Sequence, residues 1–177
     1  MQEVKIFDKV FKKSIPEKEI QKAIDKIAFN MNQTLAGKDV IFLSILNGSF
    51  VFASDLLKKI KFPCQISFIK MARYKGTSTF KEIKNLIGIN EDLAGKTIVI
   101  IEDIIDSGIT IDSTLKLIDS HKPKEILIAS LLFKPDAFQS KFKIDYIGFS
   151  IPNNFVIGCG LDYNGYGRNY PDIYTML

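Results

Sequence analysis

Glu102 and Asp103 close the apolar run Ile98-Val99-Ile100-Ile101, and Asp106, Ser107, Gly108 and Thr110 follow within a few residues. In open α/β sheets, ligands bind at the carboxyl ends of strands, where loops lead into helices. A turn from Asp106 to Thr110 that opens a helix leaves backbone amides unpaired and carrying a partial positive field. Gly108 lets that backbone come close to a ligand. Such a turn suits one phosphate group, with Thr110 or Asp112 expected to cap the helix. Carboxylates repel a bare phosphate, so Glu102 and Asp103 must face something else. The candidates are sugar hydroxyls that donate hydrogen bonds, or a magnesium ion held largely through water. The stretch is neither a GxxxxGK[ST] loop nor a GxGxxG fingerprint.

The elements that must position these residues are legible in the periodicity. Residues 16–35 place Ile20, Ile24, Ile27, Ala28 and Met31 on one helical face, with Pro16 suited to the first turn. Continuous β-branched runs predict strands at 39–46, 64–72, 97–102, 125–133 and 146–151, with a shorter one at 85–89. Helices are expected at about 50–60 and 110–120. Alternation of this kind predicts an α/β fold with a parallel sheet covered on both faces. Residues 73–84 read as a long polar loop, which in a compact domain is usually functional or mobile.

The chain of 177 residues suits one domain, and 46% hydrophobic and 25% charged content are ordinary globular values. A net charge of +4, from 24 basic and 20 acidic side chains, is too mild to argue for nucleic acid but compatible with a small anionic substrate. Cys64 and Cys159 suit either one disulfide or, in a reducing cytosol, two buried thiols, the reading preferred here. The polar N-terminal stretch is unlike a secretory signal, and no apolar run is long enough to span a bilayer. A cytoplasmic protein is expected. His121, the single histidine, reads as a solvated residue near a helix end.

"VIIEDIIDSGIT" closely resembles the phosphoribosyl pyrophosphate motif of the type I phosphoribosyltransferases, in the form found in purine salvage. The resemblance to hypoxanthine phosphoribosyltransferases runs from "ILNGSFVFASDL" to "FVIGCGLDYNGYGRNYPDI". It implies that Glu102 and Asp103 hold the ribose hydroxyls and help place Mg2+, and that Asp106 is a general base beside N7 of the purine. Ser107, Gly108, Ile109 and Thr110 would cradle the 5-phosphate. Leu46, Asn47 and Gly48 would form the pyrophosphate loop, with a cis peptide between Leu46 and Asn47. Asn47 departs from the Lys or Arg often found there, which shifts pyrophosphate binding toward backbone amides and Arg168. Lys134 would donate to the purine 6-oxo group, Phe155 would stack on the ring, and main-chain atoms of Val156 would meet its 2-position edge. Asp162 would contact a second Mg2+ through water. In the closing loop the chain keeps Tyr74 but carries Arg73 where the family usually has Ser.

The implied architecture is a single domain with a core at about 36–150 and a small hood from about 1–15 and 151–177 that closes over the base. The implied partners are phosphoribosyl pyrophosphate, hypoxanthine and guanine, with no nucleic acid and no membrane, in a homodimer or homotetramer. Three rivals stand beside this reading. One is a xanthine-preferring enzyme of the same fold, although no donor for a 2-oxo group is evident near Val156. Another is an RNA-binding regulator on the same fold, against which the near balance of charge speaks. The third is a phospho-acceptor domain, in which the acids would come from different strands.

Overall fold

The computed structural model describes residues 2–73 and 83–177. In chain order its elements begin with β1 (Glu3–Ile6), β2 (Lys9–Ile15), α1 (Glu17–Thr34), β3 (Val40–Leu46) and α2 (Phe50–Leu57). Then come β4 (Gln65–Arg73), β5 (Ile83–Ile87), β6 (Thr97–Ile105), α3 (Ile109–Asp119) and β7 (Glu125–Phe133). A short 3-10 turn (Pro135–Ala137) precedes β8 (Tyr146–Ser150), β9 (Val156–Ile157) and β10 (Ile173–Met176).

Six strands hydrogen-bond in the order β5-β4-β3-β6-β7-β8. All neighbours are parallel except β4 and β5, which pair antiparallel at the edge. The parallel sheet read from the sequence is therefore present with one antiparallel edge strand. Its long strands are continuous apolar runs because both faces are buried. Along β6, Val99 and Ile101 join the cluster that contains Ile20, Ile24 and Met31 of α1 and Phe52 and Leu56 of α2. Ile98 and Ile100 point the other way, into the cluster with Ile111 and Ile118 of α3. Those four β6 side chains are fully buried, each worth roughly 1.5–3 kcal/mol relative to exposure.

A second sheet, ordered β1-β2-β10-β9 and antiparallel, comes from the two ends of the chain. Ile6, Phe11, Ile157 and Tyr174 form its own small core. Its strands carry little sequence signal, since Lys9, Lys12 and Lys13 surround the one fully buried side chain of β2, Phe11.

The strand order explains where a ligand can enter. From β3 the chain crosses through α2 to β4, and from β6 it crosses through α3 to β7. The two connections leave in opposite directions, which opens a crevice at the carboxyl ends of adjacent β3 and β6. Pairing of β3 with β6 stops at Ser44 and Ile101, whereas β6 stays paired with β7 as far as Ile105 and Phe133. The segment Glu102–Ile105 thus has a strand on one side only.

Two local expectations need correction. Cys64 is exposed; Cys159 alone is buried, and both are free thiols. The N-cap residue of α3 is Gly108, with φ of 88° and no side chain to offer, and the Asp112 carboxylate is engaged by Ser140 instead.

Candidate active site

Both carboxylates of the acid pair lie inside β6 rather than after it, and both are buried, Glu102 at 9% and Asp103 at 8% exposure. Asp103 Oδ1 accepts the Ile104 amide at 3.0 Å. Glu102 Oε2 is buried without a hydrogen-bond partner among the described residues, an expensive condition for a polar atom. Burial, and then the negative charge and hydrogen bond of Asp103, push the Glu102 carboxyl well above the usual carboxylate range. Burial raises Asp103 too, against hydrogen bonds from Glu102 and the Ile104 amide and the field of Arg168. Burial thus disfavours the charged form of both acids, a cost that a cation or hydroxyl donors would relieve.

Beyond Ile105 the chain turns through Asp106, Ser107 and Gly108 into α3. With Glu102 and residues 104–111 it lines a cavity of about 230 Å3. The turn needs its glycine twice over. Its φ is left-handed, and a Cβ there would stand 2.9 Å from Phe138 Cε2 and closer still to the side chain of Ser140. Asp106 is half exposed, and its Oδ2 accepts from Lys134 Nζ at 3.3 Å. Lys134, at the end of β7, is 7% exposed and anchored by its own amide to Ile105 O at 2.9 Å.

The loop after β3 closes over the acids. The Leu46–Asn47 peptide is cis, and Gly48 lies so near Asp103 that a Cβ would fall within its carboxylate. Ser49 is fully buried, its Oγ 2.7 Å from Ser44 Oγ and also on Ile45 O, which pins the loop to the strand it leaves. Gly160 packs on the Gly48 carbonyl so closely that it also admits no side chain. Arg168 Nη1 donates to Gly160 O at 2.6 Å, and Nη2 pairs with Asp162 Oδ1 at 2.6 Å. Asp162 Oδ2 accepts the Gly165 amide at 2.6 Å. Phe155 is 42% exposed, and its ring is backed by Tyr163 at 5.9 Å and Phe11 at 6.3 Å. Val156 is buried in β9, opposite Thr175.

These contacts join Gly48, Asp103, Gly160, Asp162 and Arg168 in one group and Asp106 and Lys134 in another, both at the ends of β3, β6 and β7. Arg73 ends β4 opposite Ile83, and the closing-loop contacts expected of Arg73 and Tyr74 fall outside what the structure describes. Residue-by-residue reading missed Ser44, Ser49 and Gly160. The glycine spacing Gly158-Cys159-Gly160, all three at positive φ, was the available signal for Gly160.

A crevice at the switch point of a parallel sheet, with an amide turn fit for phosphate beside a buried acid pair, is the architecture of a sugar-phosphate-handling α/β protein. The chain belongs to the phosphoribosyltransferase family, as residues 14–164 match the phosphoribosyl transferase domain. It is 35% identical over 166 residues to the hypoxanthine phosphoribosyltransferase of Escherichia coli K12, a match covering 92% of this chain and 93% of the other. A hypoxanthine phosphoribosyltransferase structure from Staphylococcus aureus aligns with a TM-score of 0.88 and 32% identity, over 94% of this chain and 91% of that one. A hypoxanthine-guanine phosphoribosyltransferase from Bacillus anthracis aligns at 0.88 and 34%, over 93% and 98%.

Proposed function

We propose that the protein is a purine salvage enzyme. It transfers the 5-phosphoribosyl group of phosphoribosyl pyrophosphate to hypoxanthine or guanine, releasing pyrophosphate and giving IMP or GMP. The observation that carries this reading is the buried acid pair set directly before an amide turn at the β3–β6 crevice.

The amides from Ser107 to Thr110 bind the 5-phosphate at the start of α3, where the helix field favours an anion. Glu102 and Asp103 receive the ribose hydroxyls, whose donors relieve the orphaned Glu102 Oε2. The loop Leu46–Asn47–Gly48 and Arg168 meet the pyrophosphate, Arg168 exchanging its bond to Asp162 for a phosphate oxygen. Phe155 stacks on the purine, and main-chain atoms of Val156 face its 2-position edge. Lys134 donates to the 6-oxo group. Adenine would set an amino donor against that ammonium, the kind of mismatch that discriminates strongly. As N9 bonds to C1′ and pyrophosphate departs, the ribose passes through a cation-like state that the nearby carboxylates stabilise. Asp106, within 3.3 Å of the Lys134 ammonium, takes the proton that the purine gives up.

No cluster of three or more metal-ligating side chains forms among the described residues. An ion held by one or two carboxylates, water and substrate oxygens is the habit of magnesium, and the acid pair fits it. Glu102 and Asp103, with Asp162 through water, would hold Mg2+, which when bound supplies positive charge to the departing pyrophosphate. In this reading the two-ended second sheet is the hood over the base, and the enzyme works in the cytoplasm as a homodimer or homotetramer. Incubation with magnesium, phosphoribosyl pyrophosphate and each purine in turn tests the assignment. IMP and GMP should form, AMP should not, and absence of any nucleotide would refute it.

A further inference from the structure

The phosphate turn is braced from behind by a segment that plays no part in the chemistry above. Residues 138–140 follow the short turn after β7, and Phe138 and Ser140 occupy the space that a side chain on Gly108 would need, outside the lining of the cavity. The brace is rigid, because the Phe138 ring stands edge-on to Phe133 at 5.3 Å and to Phe142 at 5.1 Å. The Gln139 amide donates to Ser107 O at 3.2 Å. Ser140 Oγ lies 3.2 Å from the same carbonyl and 2.5 Å from Asp112 Oδ2.

Asp112 is the acidic residue in the first turn of α3. A carboxylate there is attracted to the same helix-end amides that a phosphate would use, so it competes with an anionic ligand. In the structure it does not line the cavity; the Ser140 hydroxyl holds it on the flank. The Ser107 carbonyl is likewise engaged by the brace, where it accepts the Gln139 amide.

We propose that Ser140 is a positioning residue for phosphate binding. Its single hydroxyl hydrogen goes to the Asp112 carboxylate, the shorter contact, and keeps that charge off the amides of the turn, while the Gln139 amide holds the Ser107 carbonyl. This rests on the reading of residues 107–110 as the 5-phosphate cradle.

The test compares wild type, Ser140→Ala, and Ser140→Ala combined with Asp112→Asn. Ribose 5-phosphate binding is measured by calorimetry, together with kcat, both KM values and Tm. Ser140→Ala should weaken ribose 5-phosphate and raise KM for phosphoribosyl pyrophosphate by about tenfold, the scale of one hydrogen bond to a charged group. Turnover and the purine KM should stay within about twofold. Removing the released charge with Asp112→Asn should recover most of the loss. An unchanged phosphate affinity, a loss shared equally by kcat and the purine KM, or no recovery in the double variant would overturn the proposal. Wild type that binds ribose 5-phosphate but makes no nucleotide would refute the transferase reading alone, and the binding comparison would still decide the role of Ser140. Wild type that makes nucleotide but does not bind ribose 5-phosphate would end the proposal for Ser140 and leave the transferase reading standing.

Discussion

Residues in the crevice are held in states suited to a reaction rather than to stability. Asp106 is tethered to Lys134 at 3.3 Å yet remains half exposed, so its carboxylate is oriented and still reachable. Asp106→Asn keeps the shape and removes the proposed base. It should leave phosphoribosyl pyrophosphate binding near wild type while slowing turnover by ~10²–10⁴, which steady-state kinetics with calorimetry will separate. Gly48→Ala should fail differently. Its Cβ would fall within the Asp103 carboxylate, displacing loop or acid, and a shift of about an ångström at such a position can cost on the order of 10²-fold in rate. Its readout is kcat/KM for phosphoribosyl pyrophosphate in a protein whose circular dichroism is unchanged. At this scale the sequence was informative where chemistry lies within one short segment. Glu102, Asp103, Asp106 and Gly108 could be picked out together because one strand and one turn carry them. Ser140 and Asp112, or Gly160 and Gly48, meet only through the fold, so the local pattern that marks a glycine says nothing of the partner it packs on.

Between elements, a carboxylate adds a polar tie between the terminal sheet and the core to the packing of Val156 and Ile173. Asp172 precedes β10, and its Oδ1 accepts the Glu17 amide at 2.8 Å, so it satisfies the start of α1 from across the fold. Its Oδ2 pairs with Lys13 of β2. Burial pushes the Asp172 carboxyl upward, but Lys13, the Glu17 amide and Tyr174 outweigh it and hold the group below the usual range. A carboxyl lowered by folding contributes stability above its unfolded pKa and loses it as pH falls through the folded value. Asp172→Asn should therefore cost about 1–3 kcal/mol near neutrality, with the difference from wild type shrinking as acid protonates the native aspartate. Urea denaturation across that range will check it. The terminal strands themselves were illegible for a related reason. β2 is half exposed and lysine-rich around its one buried phenylalanine, and β9 and β10 are too short, at two and four residues, to show a period. The inner strands β3, β6 and β7 were plain because burial on both faces demands unbroken apolar runs. Glu102 and Asp103 belong to β6 although acids normally end a strand, since β7 continues to pair with them.

For the molecule as a whole, the buried acid pair sets the order of events. Glu102 and Asp103 resist joint ionisation because burial raises both, and a cation with ribose hydroxyls removes that penalty. Binding of phosphoribosyl pyrophosphate should accordingly require magnesium, and chelation should weaken it by at least ~10-fold, whereas ribose 5-phosphate should be less affected if, as proposed, the turn amides hold its phosphate. Calorimetry with and without a chelator distinguishes the two. The most direct test of the central claim is a crystal structure of the protein with IMP. The 5′-phosphate should lie within about 3 Å of the amides of residues 107–110, with the ribose hydroxyls on Glu102 and Asp103 and purine N7 beside Asp106. A nucleotide bound elsewhere, with the turn after β6 making no contact to its phosphate, would contradict the account.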